Sequence, residues 1–208
     1  MTQGKSFSLI IPVYNEEAAI EPFLGAMAAV IGKVESRGYR VEIVFVDDGS
    51  VDGTLARLQT ALVADKRIRV LEFSRNFGKE AALTAGIEAA RGDALIPIDV
   101  DLQDPPEVIL QLIDAWEQGY EVVVGHRVDR VSDSALKRQS ARWFYKVLNA
   151  VADTPIPENV GDFRLVDRCV ADALKRLPER RRFMKGLFAW VGFRTAVEIG
   201  RASCRERV

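Results

Sequence analysis

The sequence predicts an α/β fold: a mostly parallel β-sheet flanked by helices, followed by a largely helical second half. Three observations predict it. Short apolar runs alternate with stretches of helical periodicity from Ser6 to Val124, and strands alternating with helices at this spacing form parallel sheets covered on both faces. The apolar runs end in polar loops rich in Asp, Asn and Gly, where the ligand-binding edge of such a sheet lies. With 48% hydrophobic and 28% charged residues among 208, the chain has the balance and length of one domain with a full core.

Taken in order, Ser6–Val13 is an apolar run stopped by Tyr14-Asn15-Glu16-Glu17, a buried strand and its loop. From Glu17 to Arg37, Ile20, Phe23, Leu24, Met27, Val30, Ile31 and Val34 recur at helical spacing before the stop at Gly38. Val41–Val46 reads as the second strand, Asp52–Asp65 as the second helix, Ile68–Phe73 as the third strand and Lys79–Arg91 as the third helix. Ala94–Ile98 is a fourth strand. Asp104, Pro105 and Pro106 open a helix reaching Gln118, with Asp104 as its cap and Pro105 at its first position. Glu121–Val124 is the fifth strand. Beyond Gly125, Asp133–Val151 and Leu165–Leu177 read as helices joined by the loop Asp153–Gly161, and Arg182–Val191 is apolar and basic together. No internal repeat or linker interrupts residues 1–198, which form one domain. Residues 199–208, Ile-Gly-Arg-Ala-Ser-Cys-Arg-Glu-Arg-Val, have no periodicity and read as a non-native tail.

The formal net charge of −1 gives no reason to expect a nucleic-acid partner. Charge is uneven, however: Arg127–Lys146 holds six Lys or Arg against two Asp, and Lys175–Arg194 seven against one Glu. Such runs are either solvated helix faces or surfaces that meet phosphates or an anionic membrane. No signal-peptide pattern opens the chain, and no window approaches the roughly twenty apolar residues that span a bilayer. Cys169 and Cys204 form neither a metal-ligand spacing nor a disulfide framework, which fits a reducing, cytoplasmic setting. His126, the only histidine, receives no catalytic role.

Two strand ends concentrate carboxylates. After the second strand comes Asp47-Asp48-Gly49-Ser50-Val51-Asp52-Gly53-Thr54. Ser50 or Asp52 suits a helix cap, which leaves two carboxylates to accept hydrogen bonds from a base or ribose and glycines that let a flat ring approach the backbone. After the fourth strand comes Asp99-Val100-Asp101-Leu102-Gln103-Asp104. In an extended segment Asp99 and Asp101 share one face. Two close carboxylates repel unless a cation lies between them, and hard oxygen ligands together with phosphate oxygens suit Mg²⁺ or Mn²⁺. Arg75-Asn76-Phe77-Gly78-Lys79-Glu80 opens the third helix, where amides and Lys79 meet an anion or a simple capped turn forms.

These segments carry a resemblance. Ile11-Pro-Val-Tyr-Asn-Glu-Glu17, Asp47–Thr54, Arg75–Glu80, Asp99–Pro106 and Gly161-Asp-Phe-Arg-Leu165 together resemble family 2 glycosyltransferases of the GT-A (Rossmann-like) fold. The Asp99 run with Gln103, and Gly161-Asp162-Phe163-Arg164, resemble the branch that glycosylates polyprenyl phosphates such as bactoprenol and dolichyl phosphates. The resemblance implies that Pro12, Tyr14, Glu16, Asp47, Asp48, Lys79 and Asp99 bind the nucleotide. It implies that Asp99, Asp101 and Gln103 engage Mg²⁺ or Mn²⁺ and the diphosphate, and that Asp162 and Asp101 are catalytic. Arg127, Lys137, Arg138, Ser140 and Arg164 would hold the acceptor phosphate on the helical, acceptor-side second half. The implied reaction is inverting transfer of a hexose, first choice glucose from UDP-glucose, to undecaprenyl phosphate at the cytoplasmic face of the cell membrane, with a homo-oligomer as a plausible assembly. The resemblance also implies membrane helices beyond this domain and hence a C-terminally truncated chain, with Phe188 and Trp190 at a membrane surface. Two readings stand beside it: a GDP-mannose, dolichyl-phosphate enzyme or one using another UDP-sugar, and a sugar-nucleotide-binding fragment without turnover. A dinucleotide oxidoreductase is disfavoured, because Asn15-Glu16-Glu17 stands where a Gly-x-Gly-x-x-Gly loop belongs.

Overall fold

β1 (Ser6–Val13) forms because its side chains are apolar on both sides of the pleat: Phe7, Leu9, Ile11 and Val13 enter one core, and Ile10 enters another. A strand buried on both faces needs neighbours on both edges, and β2 (Arg40–Asp47) and β4 (Ala94–Pro97) supply them in parallel. In this computed structural model, which describes residues 4–126, 160–177 and 184–199, the sheet has seven strands in the order β3-β2-β1-β4-β6-β5-β7. β3 (Ile68–Glu72) pairs parallel with β2, and β7 (Thr195–Ile199) pairs parallel with β5 (Val122–His126). β6 (Val160–Asp167) runs antiparallel between β4 and β5.

On one face lie α1 (Glu17–Ser36) and α4 (Val108–Glu117). Ile20, Phe23, Met27, Val30, Ile31 and Val34 of α1 are all buried, the stripe that its periodicity predicts. Pro22 sits inside this helix and costs about 3 kcal/mol in a helix interior. Six buried side chains at about 1.5–3 kcal/mol each outweigh that penalty. α2 (Thr54–Ala64) covers less, burying Thr54 and Leu58.

The opposite face carries α3 (Lys79–Ala89), α5 (Arg168–Lys175) and α6 (Met184–Trp190). α3 lies directly against β1, because a Cβ at Gly86 would fall 2.3 Å from Cγ2 of Ile10.

Two local expectations need correction. Leu165–Leu177 is not one helix: the chain continues as β6 to Asp167, which then caps α5 by accepting from the Cys169 amide at 2.9 Å. Phe163 and Leu165 fill one core and Val166 the other, so two-sided burial hides the strand alternation. α4 begins at Val108, not at Pro105, because the preceding residues form tighter turns, with Val108 N bonded to Pro105 O and Ile109 N to Pro106 O. The expected helix 133–151 and residues 200–208 of the expected tail 199–208 lie outside the described residues, while Ile199 is the last residue of β7. Among the described residues, no helix is long and apolar enough to cross a membrane.

Candidate functional site

The chain passes from β1 outward to β2 and β3, then returns to place β4 on the other side of β1. A crevice opens outside the carboxyl ends of the strands at such a reversal. Here the crevice holds about 320 Å³ and is lined by Pro12, Tyr14 and Glu16 after β1, Asp48 after β2, Asn76 and Lys79 at the start of α3, and Asp99 and Asp101 after β4. Pro12 lies one residue before the end of β1, and Pro97 ends β4. Of the residues expected to bind a nucleotide, all but Asp47 meet in this crevice.

The carboxylates of β2 first organise loops. Asp48 is 3% exposed and accepts from the amides of Phe77 at 2.7 Å and Gly78 at 2.9 Å. Those two amides are therefore committed to a side chain of this protein rather than to an anion. Asp47 is 1% exposed and accepts from the Ser50 hydroxyl and, at 3.2 Å, from the Ser50 amide. Ser50 Oγ in turn accepts from Asn15 N, and Asn15 Oδ1 from Val51 N, both at 2.9 Å. The loops after β1 and β2 are thus laced together. Neither Ser50 nor Asp52 is the N-cap of α2, which is Gly53; Asp52, just before it, accepts from the Thr54 amide at 3.0 Å and its hydroxyl at 2.6 Å, and that hydroxyl is the main reason its carboxyl titrates below the usual range. At Gly49 φ is +71° and a Cβ would lie 2.4 Å from the Arg75 carbonyl carbon, so the loop after β2 rests on the backbone of the loop before α3.

Across the crevice, Lys79 Nζ bonds both oxygens of Asp99, at 2.7 and 2.8 Å. Asp101 Oδ1 accepts from the Gln103 amide at 3.1 Å, and Leu102 between them takes φ +55°, a left-handed turn unusual for a branched side chain. Gln103 is exposed and does not line the crevice. Among the described residues no three His, Cys, Asp or Glu side chains gather as a metal cage. A pair of carboxylates beside an open crevice nevertheless fits Mg²⁺ or Mn²⁺, which bind through one or two carboxylates and complete their shell with substrate phosphates and water. Asp101 is the better-placed donor, since Asp99 already holds an ammonium.

β6 runs antiparallel to β4, so its first residues lie at the crevice end of the sheet. The pairs Ala94↔Asp167 and Leu95↔Val166 set its register, and Asp162 lies earlier in the strand, toward that end. Arg164 is 4% exposed, its guanidinium 4.4 Å from the Phe188 ring centroid, a cation–π contact that braces α6. Buried there, it does not present itself to an acceptor. Phe188 is likewise a core residue at 5% exposure, whereas Trp190 is 58% exposed; only the second is available to a surface. Arg127, Lys137, Arg138 and Ser140 lie outside the described residues. Asn76 lines the crevice without having been singled out in the sequence, although it stands inside the Arg75–Glu80 segment that was.

Residues 8–174 match the model of Glycosyl transferase family 2. The chain belongs to that family. It is 50% identical over 190 residues to the prophage bactoprenol glucosyl transferase homolog of Escherichia coli (strain K12), covering 91% of this chain and 61% of the relative. The bactoprenol glucosyl transferase of Shigella phage SfV is also 50% identical, with 91% and 61% covered. The chain thus spans about three fifths of the length of these relatives. Among solved structures, S. aureus TarS superimposes with a TM-score of 0.63 at 18% identity, over 93% of this chain and 58% of that one. The mannosyltransferase PcManGT of Pyrobaculum calidifontis, solved with GDP-Man and Mn²⁺, gives 0.62 at 23% identity, over 98% and 59%. At these identities the likeness establishes the fold, which is the GT-A fold that the sequence led us to expect.

Proposed function

We propose that this chain is the donor-binding catalytic domain of an inverting glycosyltransferase that moves a hexose, glucose from UDP-glucose, onto polyprenyl phosphate, undecaprenyl phosphate foremost. The observation that carries the reading is the crevice at the β1–β4 reversal, where Lys79, Asp99 and Asp101 converge opposite Tyr14, Glu16 and Asp48. One wall suits a base and ribose, and the other suits a diphosphate with its counter-cation. The bactoprenol named in the relatives supports a lipid phosphate as acceptor and a site of action at the cytoplasmic face of the membrane.

In this reading Pro12, Tyr14 and Glu16 hold the base and ribose, while Asp47 and Asp48 keep their loops in place. Asp101, assisted by Asp99, holds Mg²⁺ or Mn²⁺, which when bound offsets the negative charge growing on the departing diphosphate. An acceptor phosphate oxygen attacks the anomeric carbon from the face opposite the leaving group, and the sugar–phosphate bond breaks with its electron pair leaving on the nucleoside diphosphate. A phosphate is already ionised near neutral pH, so Asp162 has little proton to remove. Its role is to orient acceptor and sugar at the crevice end of β6. Arg127, Lys137, Arg138 and Ser140 hold the acceptor phosphate, and Arg164 is left out of that set because it is buried against Phe188.

The test is thermal stabilisation by UDP and GDP, each with and without Mn²⁺, in the protein and in Asp101→Asn. The expected result is a metal-dependent rise with UDP that the variant loses. A larger rise with GDP would transfer the reading to a GDP-mannose donor, and no rise with either nucleotide would refute the donor site. Sugar transfer to a short polyprenyl-phosphate analogue then separates an active domain from a fragment that only binds its donor.

A further inference from the structure

Lys79 is an odd residue for its position. It is the first residue of α3, a helix end whose dipole favours an anion over a cation, and Asp48 already supplies that anion by accepting from the Gly78 amide. It is also half exposed, at 51%, and its ion pair with Asp99 lies at the mouth of an open crevice, a setting in which such pairs contribute little to stability. The pair is thus poorly explained as a device that holds the fold. What it does do is place a positive charge on both oxygens of one of the two carboxylates that line the crevice after β4.

We propose that Lys79 is a positioning residue that occupies Asp99 in place of a divalent cation until a nucleoside diphosphate arrives, and so makes metal binding depend on the nucleotide. The proposal rests on the donor-site reading given above. With Lys79 on Asp99, a cation entering the crevice meets one carboxylate of the β4 pair, Asp101, and a nearby ammonium that repels it. A diphosphate offers Lys79 oxygens of higher negative charge. Once Lys79 turns to them, Asp99 is released beside Asp101, and the two carboxylates together with the phosphate oxygens complete a hard-oxygen ligand set. Each ligand then favours the other, and by linkage the gain is equal in both directions. No bond is made or broken in this exchange; one ammonium moves between two anions.

The measurement is Mn²⁺ binding by titration calorimetry and by loss of the free Mn²⁺ electron-spin signal, without nucleotide and with UDP or GDP. The proteins compared are the unaltered chain, Lys79→Met, Lys79→Arg and Asp101→Asn. The unaltered chain is expected to bind Mn²⁺ weakly alone and at least about tenfold more tightly with nucleotide, the scale of one nearby unit charge acting on a dication at a partly exposed site. Lys79→Met should bind Mn²⁺ alone about tenfold more tightly than the unaltered chain, and its nucleotide enhancement should shrink by about the same factor, the remainder coming from the phosphate oxygens that still ligate the metal. Lys79→Arg, which keeps the charge on Asp99, should restore weak binding in the absence of nucleotide. A purely structural lysine would not produce that gain in the Met variant or its reversal by Arg. Equal Mn²⁺ affinity of Lys79→Met and the unaltered chain, with nucleotide-dependent binding intact, overturns the role of Lys79 and leaves the donor site standing. Absence of Mn²⁺ binding in every protein with either nucleotide overturns the donor site, and this proposal with it.

Discussion

Replacing Gly49 by alanine should strike the loop that joins the second strand to the crevice, and the structure sets the scale of the damage. Gly49 has φ +71°, and a Cβ there would approach three backbone atoms of Arg75 and Asn76 to 2.4, 2.6 and 2.8 Å. The left-handed conformation alone costs an alanine about 1–2 kcal/mol. Contacts this short with backbone, which cannot swing away as a side-chain tip can, add overpacking of about 1–3 kcal/mol. The expected loss is therefore roughly 2–5 kcal/mol, read as a lower urea midpoint at unchanged slope. Gly38→Ala is the control, since Gly38 has φ +87° but nothing within 4 Å of its would-be Cβ. It should pay the backbone cost alone, about 1–2 kcal/mol. If the two variants lose the same stability to within about 0.5 kcal/mol, the error expected for independent sites, the close seating of one loop on the other is wrong, and so is the account of how the crevice wall is held.

Three further outcomes follow from side chains near this frame. Asp48→Asn should lose about 1.5–3 kcal/mol, one charge-assisted acceptor for two amides, and should also abolish the nucleotide-induced thermal shift, because Lys79 follows directly after the released amides; a variant with lower stability but an intact shift would refute that link. Burial tends to raise the Glu42 carboxyl, but bonds from Ser8 Oγ, the Arg91 amide and Arg69 outweigh it and hold it below the usual range. A carboxyl depressed in the folded state stabilises above its unfolded value, about 4.3, and loses that contribution as pH falls through the folded value, so Glu42→Gln should flatten the acid limb of the stability curve below about pH 4. The Cys169 residue is exposed, yet desolvation of its thiol and then the Asp167 carboxylate push it up to about 11; in a Cys204→Ser background, iodoacetamide at pH 7.5 should modify it on the order of a hundredfold more slowly than a free cysteine, and Asp167→Ala should speed the reaction.

Much of the fold was legible because each early strand and helix obeys one period. β1 was read residue for residue as Ser6–Val13, and α1 ends one residue before the predicted Arg37, since an apolar run on a polar loop and a stripe on a helix leave little ambiguity. β6 was not legible. Its eight residues put Phe163 and Leu165 into one core and Arg164 and Val166 into the other, so polar and apolar residues do not sort by face. Leu165, Val166 and Val170 then mimic a helical stripe that runs into the real helix. The candidate site divides in the same way. Which segments meet at the crevice could be read from their places at strand ends. Which carboxylates face the crevice could not, because Asp47 turning to Ser50, and Lys79 reaching Asp99, are choices of rotamer and partner made only in the folded chain.

Gly86 has a use for engineering the donor's fit. With no side chain between the axis of α3 and Ile10, the height of that helix above the sheet is set by main chain, and Lys79 at its tip inherits the setting. Alanine or serine at position 86 would act as a shim, lifting the helix by a fraction of the thickness of a methyl group and moving one jaw of the crevice without altering any residue that lines it. Donor size and donor chemistry could then be tuned separately, the first from beneath the helix and the second at its mouth.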